Sequence, residues 1–218
     1  MAGMVPGMNK EKAMKKIIIA VCASVFITSA AMAGKLSPVS SEKTDQSLWG
    51  SGAAVWVGQK ESRIGYDTTN NMGGAYVAVF KLPTLPDGET ISSATLSVNV
   101  LKPQGVFGGE PDWNIDVYGV RASTSSKVLP ADFFEGDNDT NATKLIDNFI
   151  SIKGTAAAAT GPCDSGKSAE LGAWLQKFYT GNTPDQPYVF IRLNSDVPYA
   201  SYKHLKNPAI QVTSRYLQ

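Results

Sequence analysis

The sequence predicts an all-β fold: a single antiparallel β-sandwich of jelly-roll type with one short amphipathic helix. Three observations carry that expectation. Between positions 94 and 100 the apolar residues Ala94, Leu96, Val98 and Val100 fall on even numbers alone, the period-2 pattern of a strand with one dry and one wet face. Just before it, Leu85-Pro86-Asp87-Gly88 has type I turn chemistry: proline presets φ, aspartate bonds back to the backbone, and glycine tolerates the exit. Elsewhere, short apolar runs alternate with clusters of Gly, Pro, Asn and Asp, the punctuation of about seven or eight strands in one sandwich.

The elements follow in order. Residues 53–57 form a first short strand. Residues 75–82 are apolar on both sides, with Tyr76, Val77, Val79 and Phe80 close together, as expected of a central strand covered on both faces. Residues 92–101 and 113–120 form an alternating pair, in which Ile115 and Val117 face inward and Asp116 and Tyr118 outward. Residues 144–153, 188–194, 198–203 and 208–213 complete the set. One segment has a different period. In residues 168–180, Leu171, Trp174, Leu175, Phe178 and Tyr179 recur at helical spacing, with Ser168 placed to cap the start and Gly181 the end. An aromatic stripe at that spacing reads as core, so the helix is expected to plug one end of the sandwich.

Residues 14–33 read as an export signal. Lys15 and Lys16 precede an apolar core from Ile17 to Ile27, and Ala31-Met32-Ala33 is an A-x-A cleavage site. The apolar run is well short of the roughly 20 residues a membrane span requires. Cleavage after Ala33 leaves 185 of the 218 residues, residues 34–46 being a polar leader and 47–218 the β domain. Removing Lys10, Lys12, Lys15, Lys16 and Glu11 from the 20 basic and 19 acidic residues leaves sixteen against eighteen. That balance disfavours nucleic acid, whose affinity comes from clustered Lys and Arg. No basic amphipathic helix or second apolar stretch follows, so membrane insertion is not expected. Only Cys163 survives processing, so packing rather than a disulfide must hold the fold. The expected location is secreted, extracellular or periplasmic.

The order of these features resembles the disaggregatase-related (DNRLRE) family of secreted β-sandwich modules. The residues that carry it are Phe80-Lys81-Leu82-Pro83-Thr84-Leu85-Pro86-Asp87-Gly88, then Ile91-Ser92-Ser93-Ala94-Thr95-Leu96. Leu171-Gly172-Ala173-Trp174-Leu175 with Gly181 follows, and Asn207-Pro208-Ala209-Ile210-Gln211-Val212 forms a last strand. The likeness extends to short secreted bacterial proteins with a single such module. It implies a carbohydrate-binding role without catalysis. Ser214-Arg215-Tyr216-Leu217-Gln218 differs from the apolar sorting tail that many of those proteins carry, so the expected protein is released or non-covalently held.

Sugar recognition needs an aromatic face for the apolar side of a pyranose and planar polar groups for its hydroxyls. Trp113 and Tyr118, with Asp112, Asn114, Asp116 and Arg121 beside them, are the candidates, and Gly105 to Pro111 forms the expected rim. Trp49, Tyr199 and Tyr202 are further exposed aromatics by pattern. For each, packing at a sandwich edge is the plainer reading, and parity points Trp113 inward unless the glycine-rich loop bends the chain. Asp137, Asp139 and Asn141 stand in a D-x-D-x-N pattern, the alternate spacing by which a loop wraps Ca²⁺. The pattern departs from an EF-hand beyond that point, and an acidic loop with Asx turns explains the same residues.

Catalysis has little to stand on. His204 is the only histidine, and no nucleophile-elbow motif accompanies it. Glu61, Glu89, Glu110 and Glu170 show no spacing that singles out an acid–nucleophile pair. Cys163 has no histidine near it in sequence. The expected function is therefore a secreted, non-catalytic carbohydrate-binding or adhesion module whose partner is a polysaccharide or cell-surface glycan. A self-associating structural protein of the cell surface or matrix is the alternative, and a small glycan-active enzyme the third. Mass spectrometry of exported material is expected to find a chain beginning at Gly34; an intact segment from Met14 would overturn the compartment.

Overall fold

The computed structural model describes residues 34–39, 46–49, 54–56, 62–67, 72–104, 113–134, 139–152, 160–195 and 209–218, all within one compact unit, Met32–Gln218. The expected signal segment lies outside them. The elements are β1 Gln46–Trp49, β2 Ala54–Trp56, β3 Ser62–Asp67, β4 Met72–Lys81, β5 Leu96–Gln104, β6 Trp113–Ser123 and β7 Thr143–Ile152. They continue with β8 Gly161–Asp164, the helix α1 Ala169–Gln176, β9 Tyr179–Thr180, β10 Thr183–Pro184, β11 Tyr188–Ser195 and β12 Ala209–Leu217.

The fold is all-β and antiparallel, as expected. One hydrogen-bonded path runs β7-β6-β11-β4-β3-β12-β5-β8, with β1 joined to β4 and β2 to β1. Its two ends, β7 and β8, are not paired with each other. The half containing β4, β6 and β11 and the half containing β3, β5 and β12 share one apolar core. Tyr76, Ala78, Phe80, Ile115, Val117, Val189, Ile191 and Leu193 meet Ile64, Leu96, Val98, Val100, Ile210, Val212 and Leu217 there. The even-numbered alternation places Leu96, Val98 and Val100 in this core.

Strand β4 is buried on both faces, as its sequence requires. Tyr76, Ala78 and Phe80 enter the main core, while Val77 and Val79 enter a second cluster with Val128 and Phe190. Tyr76 carries its hydroxyl inward to Ser214, where it hydrogen-bonds the Ser214 hydroxyl and accepts from the Ser214 backbone N–H. A buried phenol needs such a partner.

Three expectations are corrected, and three strands are added. Residues 36–39 are not a loose leader: Leu36 and Leu217 exchange backbone hydrogen bonds of 2.8 and 3.0 Å, and the Val39 N–H donates to Val79 at 2.9 Å. A polar stretch can be ordered when its backbone groups find sheet edges. Strands β1, β3 and β8 carry too few alternating apolar residues to be read locally; their neighbours create them. The helix ends at Gln176 with Lys177 as its cap, because Phe178 and Tyr179 turn away into the β9–β10 hairpin. Gly181, at φ +64, serves that hairpin's tight turn rather than a helix cap. The expected strand at 198–203 lies outside the described residues.

Ser168 caps α1 as predicted, its hydroxyl accepting from the Leu171 N–H at 3.1 Å. Leu171, Trp174 and Leu175 bury the predicted face, and Trp174 meets Phe178 edge-on with ring centres 4.9 Å apart. The two leucines contribute about 2 kcal/mol each by burial. This docking needs two bare backbones. A Cβ on Gly119 would stand 2.2 Å from the Trp174 ring, and one on Gly172 would stand 2.5 Å from the Ser93 backbone. Gly172→Ala therefore inverts the usual sign. Helix propensity alone would favour alanine by up to ~1 kcal/mol, yet the contact with Ser93 backbone should cost about 1–3 kcal/mol. Urea denaturation is expected to show net destabilisation; a stabilised Gly172→Ala protein would mean that α1 does not pack this closely.

Candidate functional site

The face of β6 turned away from the core was expected to be wet. It is buried. Asp116 and Tyr118 do point away from Ile115 and Val117, as parity demands, but they are 0% and 1% exposed. Asp116 is covered from β7, by the Lys144 ammonium and the Asn148 N–H. Tyr118 lies beside the Arg192 guanidinium, over which the segment after β6, with its 3₁₀ turn at Pro130–Asp132, brings the Asp132 carbonyl and Phe134. Loops after strands are hard to place from sequence because their apolar residues show no period.

A bulge in β6 builds the site. Ile191 faces Gly119 and Phe190 faces Arg121, so one extra residue, Val120, sits between. The extra residue reverses parity, and Arg121 thereby joins Asp116 and Tyr118 on the same face. Its guanidinium lies 3.6 Å over the Phe190 ring and grips Asp132 with two bonds, Nε to Oδ1 at 2.6 Å and Nη2 to Oδ2 at 2.8 Å. Asp132, itself 2% exposed, accepts the Leu129 N–H at 2.8 Å and so closes the 3₁₀ turn.

Arg192 is the centre of this layer and is 1% exposed. Nε donates to Asn194 Oδ1 at 2.8 Å, Nη1 to the Asp132 carbonyl at 2.9 Å, and Nη2 to Asp139 Oδ2 at 2.7 Å. The Tyr118 and Phe134 rings lie 5.1 and 5.7 Å from the guanidinium. Burial lowers the Arg192 pKa from its high ordinary value, and Asp139 works against that shift. At the rim, Lys144 Nζ reaches Asp116 at 2.7 Å and Asp147 at 3.0 Å. Partial burial works against the ammonium, but those hydrogen bonds outweigh it and hold its pKa above the lysine range. Two additional residues of β7 bulge opposite Asp116. There Asn148, at φ +53, directs its N–H to Asp116 Oδ1 at 2.7 Å.

This geometry reassigns the residues picked from sequence. Tyr118 and Arg121 share one face of the sheet, with Arg121 committed to Asp132 and Tyr118 out of solvent. Asn114 is half-buried on β6. Trp113 opens β6, its indole outside the described part of the structure, and Asp112 is likewise outside it. The calcium reading loses its central member. Asp139 is 4% exposed by side chain, gives one oxygen to Arg192, and takes the Asn141 N–H on the other at 2.8 Å. That is an Asx turn carrying a buried ion pair. Asp137 lies outside the described residues, and among those described no group of three His, Cys, Asp or Glu is placed to hold a metal.

Among the described residues, Glu170 and Cys163 are engaged in the fold. Glu170 sits in the first turn of α1, where it accepts the Ser168 hydroxyl and faces the positive end of the helix. The Cys163 thiol is half-buried on β8 against the Phe149 carbonyl, and burial pushes its pKa up, the state of an inert thiol. His204, Glu61, Glu110, Trp49's indole, Tyr199 and Tyr202 lie outside the described residues.

A surface that sequence reasoning missed lies on the other half of the sheet. A bulge at Arg215 lets Ser214 pair with Val98 and Tyr216 with Ser97. Tyr216 is thus a half-exposed ring beside two exposed cations: Lys35 Nζ is 4.3 Å and Arg215 Cζ 5.4 Å from its centre. Asp164, from β8, accepts the Tyr216 hydroxyl at 3.4 Å and lies 3.5 Å from Arg215. Arg215 also donates to the buried Ser97 hydroxyl at 2.9 Å. Exposed pairs of this kind contribute little to stability, about 0–1 kcal/mol. The Arg-Tyr dipeptide near the end of a strand was the only available signal, and the bulge that exposes it is invisible locally.

No family model matches the chain, and no curated protein matches it.

The buried layer makes a sharp energetic prediction. Asp139→Ala leaves the Arg192 guanidinium without its carboxylate and should cost about 3–5 kcal/mol. Replacing both, as Asp139→Leu with Arg192→Met, should recover most of that loss. Chemical denaturation of the three proteins checks this; equal stability of Asp139→Ala and wild type would remove the ion pair from the fold.

Proposed function

We propose that this chain is an exported, non-catalytic β-sandwich of jelly-roll type that binds carbohydrate and serves in adhesion. The observation that carries the reading is the Tyr216 surface: a half-exposed ring flanked by an exposed carboxylate and an exposed guanidinium. That combination meets the two demands of a pyranose, an apolar face to stack on and planar polar groups for its hydroxyls. The export signal in residues 14–33 and the likeness to secreted DNRLRE modules support the same reading.

A self-assembling structural protein is the competing view. Sheet-edge polymerisation is the simplest route to it, and the two ends of the sheet path are poor templates. Strand β7 carries a bulge with Asn148 in the left-handed region and the Lys144–Asp147 pair. Strand β8 is four residues long and contains Pro162. Bulges, charges and proline are the devices that blunt such edges.

A glycan array probed with the purified protein, with light scattering run alongside, separates the two. Binding to at least one glycan is expected, and Tyr216→Ala should weaken it about fivefold, from the loss of roughly 1 kcal/mol of stacking. Tyr216→Phe should retain most of it. Loss on Trp113→Ala with no change on Tyr216→Ala would move the site to the rim before β6. Concentration-dependent assembly with no glycan bound would favour the structural view.

A further inference from the structure

The outward face of β5 and β12 continues the Tyr216 surface. Alternation sends Ile64, Val98, Val100 and Val212 into the core, so Arg63, Ser97, Asn99 and Thr213 point the other way. At one end Ser97 pairs with Tyr216 of β12 and with Asp164 of β8. Next along, Asn99 and Thr213 are direct cross-strand partners, both half-buried. Beyond them Leu101 is the extra residue of a bulge and is 36% exposed. The row ends where Gln211 pairs with Arg63 of β3, whose side chain is exposed.

Two properties of this row narrow what it can hold. The first is length: from Gln211 to Tyr216, β12 covers roughly 15 Å at a strand's rise per residue, more than one sugar ring. A sheet face touches its ligand from one side only, and a single stacked ring or exposed ion pair contributes little. Affinity therefore has to come from several sugars bound along the row. The second is charge. Arg215 and Asp164 are 38% and 46% exposed by side chain, and Lys35 and Arg63 are exposed, which among these residues sets three cations against one carboxylate. Lys35 Nζ lies 4.3 Å from the centre of the Tyr216 ring. A neutral sugar stacking there displaces the ammonium and leaves it without a partner, whereas an anionic sugar supplies its counter-ion.

We propose that this row binds the interior of an acidic polysaccharide rather than a terminal neutral sugar. The inference rests on the carbohydrate reading above and adds to it the ligand's charge, its length and the residues beyond Tyr216 that contact it. One sugar stacks on Tyr216 with its anionic group on Lys35 and Arg215. Asn99 and Thr213 bond the hydroxyls that follow, and Arg63 takes the anionic group of a later sugar. Contacts between exposed charges weaken as salt screens them, so binding falls with ionic strength.

Titration calorimetry with two pairs of polymers tests this: polygalacturonate against its methyl ester for carboxylates, and dextran sulfate against dextran for sulfates, each in short and long chains. In at least one pair the acidic chain is expected to bind at least tenfold tighter than its neutral counterpart, and the long chain at least tenfold tighter than the short. Lys35→Gln and Arg63→Gln, both at exposed positions, should each weaken that binding at least threefold with an unchanged melting temperature, and Tyr216→Ala should weaken it as well. No preference for the acidic chain in either pair, no gain with length, or no loss on Arg63→Gln would overturn the proposal. So would equally tight binding of single-stranded DNA that ignores Tyr216→Ala, since charge alone would then explain the affinity. A neutral glycan bound through Tyr216, with acidic chains no better, defeats this inference and leaves the carbohydrate reading standing. Failure to bind any glycan, neutral or acidic, defeats that reading itself.

Discussion

The guanidinium of Arg192 is the constraint from which much of this structure follows. A charge that is 1% exposed must be matched on every side. Asn194 on its own strand, the Asp132 carbonyl and the Asp139 carboxylate do this. Asp139 comes from just before β7 and Asp132 from residues 128–134 after β6, so that latter stretch has to lie across the sheet. Once there, it brings Asp132 onto Arg121 and Val128 and Phe133 onto β4 and β11. A long connection becomes a second layer because one buried cation needs oxygens that its own strand does not supply.

Strand β4 is where the two layers meet. Its alternate residues serve two cores, Tyr76, Ala78 and Phe80 below and Val77 and Val79 above. It also takes pairing from β1, β3 and β11 and a backbone bond from Val39. A strand with no wet face cannot tolerate a slip in register, because every side chain would move to the wrong core. The bulges named above lie in strands that β4 does not pair with, at Val120 of β6, at Arg215 of β12 and in β7 opposite Asp116. Each re-aims polar residues without disturbing the central strand.

The functional reading follows from that arrangement. The strip of polar residues along β6 that composition marks as a recognition surface is occupied from within the chain. A half-exposed aromatic surface lies on the other half, where the bulge at Arg215 sets Tyr216 beside Lys35 and Arg215. Both surfaces combine a phenol, a guanidinium and a carboxylate. They differ in what stands over them: Lys144 on Asp116 and Asp139 and Phe134 on Arg192 in one case, Lys35 and Arg215 on the Tyr216 ring in the other.

The sequence by itself determined what depends on local periodicity. The all-antiparallel class, the inward set Leu96, Val98, Val100, Ile115 and Val117, the two-faced character of β4 and the Ser168 cap are all legible, because alternation and capping chemistry act within a few residues. Only the tertiary structure decided where polar side chains ended up. Parity correctly sends Asp116 and Tyr118 away from the core, but it says nothing about what covers them. Lys144 and Asn148 of β7 cover Asp116, while Asp132 and Asp139 close over Arg121 and Arg192 because those guanidinium groups bind them. Asp139 looks like a cation ligand in isolation and is an arginine's counter-ion in the fold. Arg121 and Tyr216 reach their faces through single-residue bulges, which are set by strand pairing across long sequence separations and leave no trace in the spacing of the residues themselves.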